Sequence, residues 1–367
     1  MKSEINYVTY QTFPAKTANS IQTISNIKYF VKNGYKVNLY FPMREITSSN
    51  KLDDIQEFYQ INETFEVHGL DHKLPHGRIK IFKKYAFHIS HYLWAQKTIN
   101  KYFNVDNEKL IFTRSDWIAF FGAKKGHKII FECHQRSKVR DFVIKKIGTF
   151  SNVNVIFLND NLESIYPELN NSYVLQNGVD HELFKNKNLN KRKSIVFVGN
   201  LSRFSTSRGL PNFLRTYSEE EVYKDYIFEI VGGNQKEIEE LESLVVNLNI
   251  NDHVIFHGYM QRKKSIEIIE SCSIGLLINT EENEHSTQFT SPLKYFEYLY
   301  GGLNIIASDF PSHRSLPYNE KISFFDLNQK RSLSEAILNT SNIDKDDIYL
   351  KEITIDKRVK EIIKLFF

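Results

Sequence analysis

Ser291-Pro-Leu-Lys294-Tyr-Phe-Glu297-Tyr-Leu-Tyr-Gly301-Gly302 runs directly into Leu303-Asn-Ile-Ile-Ala307. The first part reads as a helix stopped by two glycines, and the apolar run after it as a buried strand. In an open α/β sheet such a helix places Lys294 and Glu297 near the crevice at the strand ends. A lysine and a glutamate three residues apart share one helical face. They can hold two parts of one ligand, the lysine an anionic group and the glutamate a pair of hydroxyls. An isolated K-x-x-E reads first as a surface ion pair, so the surrounding chain has to decide.

Outward from this stretch, strand and helix patterns alternate along the whole chain. In the first half, strands are expected at 5–10, 36–40, 110–112, 128–133, 154–158 and 173–175. Between the first two, Ile24, Ile27 and Val31 mark a helix that Asn33-Gly34 ends, which makes a βαβ unit. The second half restarts the pattern at 194–198, 227–231, 254–256, 274–278, 304–307 and 322–325. Such alternation predicts parallel sheets covered by helices, here as two doubly wound domains. Lys185-Asn-Lys-Asn-Leu-Asn-Lys-Arg-Lys193 has the composition of a linker between them. The expected division is 1–187 for the N-terminal domain and 188–345 for the C-terminal one. A C-terminal segment, 346–367, presents Val359, Ile362, Ile363 and Phe366 on one helical face and is expected to pack back on the first domain.

At 367 residues, with 41% hydrophobic and 25% charged residues, the chain is long enough for two cores and is neither disordered nor membrane-spanning in composition. The expected location is cytoplasmic, since no apolar leader precedes the first strand. Cys133 and Cys272 stand far apart without a C-x-x-C partner, so no disulfide or zinc site is expected. A net charge of +4 does not call for nucleic acid. Its distribution is more informative. From Lys73 to Lys101 there is no acidic residue, while lysines and one arginine alternate with Ile, Phe, Tyr and Trp. The segment 73–102 suits either a core helix with a basic outer face or peripheral contact with an anionic membrane.

The chemistry-bearing turns are few. After the first strand of the second half comes Val198-Gly199-Asn200-Leu-Ser-Arg203-Phe-Ser-Thr-Ser-Arg208-Gly209, a polar turn that opens a helix. Backbone amides at a helix start together with guanidinium groups suit phosphate. Neither a P-loop nor a dinucleotide fingerprint is present. With both segments at strand C-termini of one parallel sheet, Arg203, Arg208 and Lys294 are expected to converge on a diphosphate, with Glu297 at a ribose; either segment alone would read as solvated surface. His257, Gly258 and Tyr259 end another strand, where backbone groups can edge a nucleobase; His257 reads more as a strand-end residue than as a catalyst.

Phe13-Pro-Ala-Lys-Thr-Ala-Asn-Ser20, Thr113-Arg-Ser115, Phe131-Glu-Cys-His134, Gln176-Asn-Gly-Val-Asp180, the Val198–Arg203 turn, Ile230-Val-Gly-Gly233, His257-Gly-Tyr259 and Ser291–Tyr298 occur in an order and spacing that resembles the retaining glycosyltransferases of family 4. The resemblance covers the whole length. It implies the GT-B architecture of two facing Rossmann-like domains, a nucleotide-sugar donor on the second and an acceptor on the first. Arg208 resembles the second member of the family's diphosphate-binding pair. The first member's place falls at Asn200, with Arg203 substituting from a short insertion. Glu297 is implied at the ribose, and Ser291, Pro292, Leu293 and Lys294 among the donor-binding residues. The family's companion glutamate falls at Phe289, a departure that leaves the sugar hydroxyls to another group, for which Glu281, Glu282 and Glu284 are the nearby acids.

In the first domain His134 is implied near the reacting carbon, although a lone histidine at a strand end is commonly structural, and Glu132 is either its companion or a satisfied buried acid. Thr17, Asn19 and Ser20 stand where relatives carry a glycine loop; Asn19 also suits a helix cap. Preplaced cations would stabilise the charge that grows on the departing diphosphate. No metal or other cofactor is expected, since the only D-x-D, Asp344-Lys-Asp346, sits near the C-terminal helix. The implied role lies in cell-surface polysaccharide or lipid-linked glycan synthesis. Two rivals remain: a nucleotide-sugar epimerase or hydrolase of the same fold, and a catalytically silent sugar-nucleotide-binding subunit.

Overall fold

A computed structural model describes residues 3–75, 83–103, 108–185, 191–203, 206–340 and 347–367, with the side chains of 83–84, 203, 206 and 347–348 outside the description. The chain divides into two compact units, Met1–Leu175 with Ile355–Phe367, and Gln176–Thr354.

The first unit is built on seven strands: β1 (Glu4–Val8), β2 (Lys36–Met43), β3 (Glu66–Asp71), β4 (Leu110–Thr113), β5 (Lys128–Cys133), β6 (Val153–Phe157) and β7 (Ser172–Val174). They pair in the order β3-β2-β1-β4-β5-β6-β7, all parallel. Parallel strands covered on both faces need continuous apolar runs, and Ile129, Ile130 and Phe131 of β5 are all fully buried. β3 carries no such run: of Glu-Val-His-Gly-Leu-Asp only Leu70 is buried, because this strand lies at the sheet edge. The sequence pattern therefore does not reveal it.

The helix Ala18–Lys32 packs Ile24, Ile27 and Phe30 into the core beneath β1 and β2. Helix Ile355–Lys364 returns to this same core, where Ile355, Val359, Ile362 and Phe366 are buried. Its start is tied down as well, since Asn33 Nδ2 donates to Asp356 at 2.9 Å.

The second unit repeats the plan with β8 (Arg192–Val198), β11 (Ile227–Val231), β12 (Val254–Gly258), β13 (Cys272–Leu277), β14 (Asn304–Ser308) and β15 (Ile322–Phe325), plus a small ribbon, β9 (Ser202–Arg203) with β10 (Thr206–Ser207). The main sheet runs β12-β11-β8-β13-β14-β15, all parallel. Both sheets thus have the doubly wound order that the alternation predicts, with the first strand of each unit at the point where the winding reverses.

The division between units falls at Leu175, upstream of the expected 187. Residues 176–185 belong by their hydrogen bonds to the second unit. Asn177 Nδ2 donates to the Ser291 carbonyl at 2.6 Å, Val179 N to the Ile353 carbonyl at 2.9 Å, and Lys185 N to Glu270 at 3.1 Å. The C-terminal segment likewise joins the first unit only from Ile355. Part of the linker, 186–190, lies outside the described residues, as do Asp344 and Asp346.

Candidate functional site

In the second unit the winding reverses between β8 and β13, and the loop leaving β8 crosses this point. That loop depends on two close approaches of backbone. Gly232, at the end of β11, has φ +116, and a Cβ there would lie 2.1 Å from the Gly199 carbonyl. Gly209 has φ +81 and precedes the helix Leu210–Glu219 as its N-cap; a Cβ there would lie 3.1 Å from the Asn279 carbonyl. Only glycine meets both conditions without strain. Between them Asn200 is exposed and Arg208 half-buried, the latter fixed by its N–H donating to the Leu201 carbonyl at 3.0 Å. The backbone of Arg203 lies in β9, and its side chain is outside the described residues.

Helix Leu293–Tyr300 delivers the pair read from the sequence. It follows Thr290-Ser291-Pro292 and closes on Gly301, and Tyr298 anchors it to the end of β8 by accepting from Val198 N–H at 3.0 Å. Ser291 is held by Gln176 and Asn177, its hydroxyl donating to Gln176 Oε1 at 2.9 Å. Lys294 is buried, with Nζ 3.6 Å from the centroid of the Phe197 ring and no hydrogen-bond partner among the described residues. Burial first, then the Arg208 charge, hold its pKa well below the usual lysine value, and Glu297 offsets only part of this. Glu297 itself is ion-paired with Arg262, at the start of helix Arg262–Ser271. The two charges share a helical face but do not neutralise one another. Arg262 had no signal in the sequence.

A third buried group stands nearby. His313 donates from Nδ1 to the Ser308 carbonyl at 2.8 Å, which fixes the tautomer with Nε2 unprotonated. Burial above all, with Lys294 adding to it, lowers its pKa to about 4.

A model of the family described as glycosyl transferases group 1 matches residues 179–366, more than half of the chain. The chain belongs to this family. No curated protein sequence matches it. Among solved structures it is similar to sucrose-phosphate synthase from Thermosynechococcus elongatus at 15% identity and TM-score 0.66, over 100% of this chain and 95% of that one. It is also similar to a glycosyltransferase from Rickettsia africae ESF-5, at 12% identity and TM-score 0.66 over 100% and 98% of the two chains. HepE of Anabaena in complex with UDP matches at 12% identity and TM-score 0.63, over 99% and 97%. These likenesses establish the fold as GT-B, two Rossmann-like units of parallel sheet.

Elsewhere in the second unit of this group 1 glycosyl transferase chain, the expected base-edging strand end behaves differently from Lys294. The pairing of β11 with β12 shifts at a bulge, so that Val231 faces Gly258 and His257 is left over. His257 Nε2 lies 3.0 Å from Glu229 Oε2, on a buried carboxylate that Arg192 also holds at 3.0 Å. Gly258 accepts from Gly232 N–H at 2.7 Å, and Tyr259 is exposed. Phe289 is buried, and Glu281, Glu282 and Glu284 are exposed on the loop before it.

In the first unit, His134 directly follows β5, and its ring is committed on both sides. Arg114 approaches Nδ1 at 2.6 Å, and Glu132 is hydrogen-bonded to Nε2. An arginine can only donate and a carboxylate only accept, so Nδ1 is unprotonated and Nε2 carries the hydrogen. Burial, reinforced by Arg114, lowers the His134 pKa to about 3. Burial would raise the Glu132 carboxyl, but Arg358 foremost, with His134 and Arg114, holds it well below the usual carboxylate range. Arg358, on the C-terminal helix, is ion-paired with Glu132 and lies 3.5 Å from Asn26 Oδ1.

The helix start at 17–20 separates the three residues expected there. Thr17 is the N-cap, accepting from Ser20 N–H at 3.2 Å, and Ser20 is fully buried with its hydroxyl donating to the Ala15 carbonyl at 2.6 Å. Asn19 does not cap; its Oδ1 has no hydrogen-bond partner among the described residues. A further cluster at this end of the sheet escaped the sequence reading. Tyr10 OH lies 2.8 Å from His72 Nε2 and 2.6 Å from Ser90 Oγ, with the Arg44 guanidinium 4.5 Å from its ring centroid. Tyr10, Arg44 and His72 each follow one of the first three strands, but no local pattern in the sequence links them.

Proposed function

We propose that the chain moves a sugar from a nucleoside-diphosphate sugar to a hydroxyl of a glycan or lipid-linked acceptor, with retention at the sugar carbon and without a metal ion. Lys294 carries this reading. A buried lysine whose Nζ has no hydrogen-bond acceptor among the described residues costs stability when charged, and it is kept where a ligand anion completes it. Its position beside Arg208, at the end of β8, suits a diphosphate whose negative charge grows as the bond to the sugar breaks. That the neighbour HepE was solved with UDP is in keeping with such a donor.

In this reading the bond between the sugar carbon and the diphosphate oxygen breaks, its electron pair stays on the diphosphate, and the acceptor oxygen bonds to the carbon. The acceptor proton leaves with the diphosphate oxygen. Glu297, which is ion-paired with Arg262, accepts the ribose hydroxyls. The acceptor belongs to the first unit, where Asn19 Oδ1 offers an unused acceptor atom. His134, with both ring nitrogens engaged, shapes the end of β5 rather than moving a proton.

The test is a panel of labelled sugar nucleotides incubated with a lipid and glycan extract. Transfer to an extract component, lost in Lys294→Met and Glu297→Ala, supports the reading. Release of free sugar with no acceptor requirement points to a hydrolase or epimerase. Binding without turnover, unchanged by Glu297→Ala, points to a silent subunit.

A further inference from the structure

The order of the first sheet sends the right-handed crossovers after β3, β4 and β5 to one face, opposite to those after β1 and β2. Helices Lys83–Tyr102, Asp116–Lys124 and Lys138–Ile147 lie side by side there. Exposed apolar side chains are concentrated on this face. Of the sixteen exposed large hydrophobic residues among those described, six stand on the helix Lys83–Tyr102. Single exposed hydrophobics need no explanation, but a cluster marks an interaction surface.

Tyr85, Ile89, Tyr92 and Leu93 fall at helical spacing and, with His88 and Trp117, line an open groove of ≈ 550 Å³. Tyr92 stands edge-on to Trp117 at 4.9 Å and to Phe121 at 5.2 Å, which continues the aromatic surface onto the second helix. On the third, Phe142 is 52% exposed, with Lys146 Nζ 5.9 Å from its ring centroid.

The charge on this face has one sign. The only acidic residues on the three helices are Asp116 and Asp141. Asp116 is ion-paired with Arg140 at 2.5 Å, and Asp141 with Arg136 at 3.3 Å. Lys97, Lys101 and Lys124 remain exposed around the aromatic groups. Arg78 and Lys80 of the basic segment lie outside the described residues.

We propose that this three-helix face docks on an anionic lipid bilayer, with Trp117, Tyr92 and Leu93 entering the interfacial layer and the lysines meeting the headgroups. Amphipathic aromatic rings and basic side chains together match that interface. A second copy of the chain is a poor occupant, since two faces of like charge would meet.

The chain supplies its own probe, since its two tryptophans are Trp94, which is buried, and Trp117, which lines the groove. In the full chain carrying Trp94→Phe, Trp117 reports alone. Vesicles of phosphatidylcholine with phosphatidylglycerol, carrying brominated acyl chains, should quench its fluorescence; phosphatidylcholine vesicles alone should not, and salt should reverse the effect. Leu93→Asp should lower vesicle partitioning by about tenfold, the scale of losing one buried apolar side chain. Lys97→Glu serves as a second variant on the exposed surface. Absence of quenching with anionic vesicles overturns the inference, as does a concentration-dependent dimer that Leu93→Asp dissociates while vesicles stay unbound. The readout needs no nucleotide, so it stands or falls separately from the donor site.

Discussion

The two units wind their sheets in the same sense, yet they treat charge oppositely where β5 and β8 end. In the first, the buried Glu132 is enclosed by Arg358, Arg114 and His134, and each of these has a partner within the unit. In the second, the buried Lys294 lies over an aromatic ring with no acceptor among the described residues, and Glu297, on the same helix, is taken by Arg262. A satisfied network stabilises a fold once its desolvation has been met, whereas an unsatisfied buried charge only costs. Among the described residues, the buried carboxylate of the first unit is satisfied and the buried lysine of the second is not.

Breaking the first network should have the largest effect. Arg358→Ala leaves Glu132 buried without its main partner and should lower the unfolding free energy by about 3–5 kcal/mol in urea titration. Combining it with Glu132→Leu should recover most of the loss. A change below about 1 kcal/mol would mean that the C-terminal helix is held by its apolar face alone.

Lys294→Met should do the reverse. Removing a buried amine that has no hydrogen-bond partner among the described residues should raise stability by roughly 1–3 kcal/mol while weakening nucleoside-diphosphate binding roughly ten- to a hundredfold. Destabilisation with unchanged binding would erase the contrast between the units. Arg208→Ala should weaken donor binding by roughly 1–3 kcal/mol in calorimetry, with little change in stability because the side chain is half-buried.

A more gradual effect is a slope with pH. His313 has its folded pKa lowered to about 4 from the ordinary 6.5. Between these values the unfolded chain binds a proton that the folded chain does not, so stability falls as the pH drops through this window. The contribution is about 1.4 kcal/mol per pH unit and ceases below the folded value. His313→Gln should remove it, seen as a shallower pH dependence of the urea midpoint. His134→Gln should act likewise in the first unit, over a window that reaches down to about 3.

Much of this architecture is legible in the chain. The four central strands of the second unit, β11, β8, β13 and β14, each coincide with a short apolar run, because central parallel strands are buried on both faces; the edge strands β12 and β15 carry one as well. β3 escapes, since an edge strand needs no such run. The domain boundary escapes too: the basic stretch 185–193 has linker composition, but residues 176–185 are claimed by hydrogen bonds to Ser291, Ile353 and Glu270, which composition does not register.

Spacing puts Lys294 and Glu297 on one helical face, because helical periodicity places i and i+3 together in any context; the surrounding segments single the pair out. That Glu297 pairs with Arg262, and that His257 turns onto Glu229 at a bulge, depends on strand register. The cap at Thr17 rather than Asn19 rests on a helix boundary, where propensity is weakest as a guide.

The sequence by itself determined the alternation of strands and helices, the glycines that permit backbone to approach backbone at Gly209 and Gly232, and the stock of cations near the second sheet. All of these are local properties, set by side-chain periodicity and allowed dihedrals. Only the tertiary structure decided which charges are satisfied. Glu132 and Arg358 are 226 residues apart in the chain and meet only because the last helix returns to the first core. Lys294 and Glu297 are neighbours on one helix, and yet among the described residues the elements packed around them give a hydrogen-bond partner to Glu297 and none to Lys294.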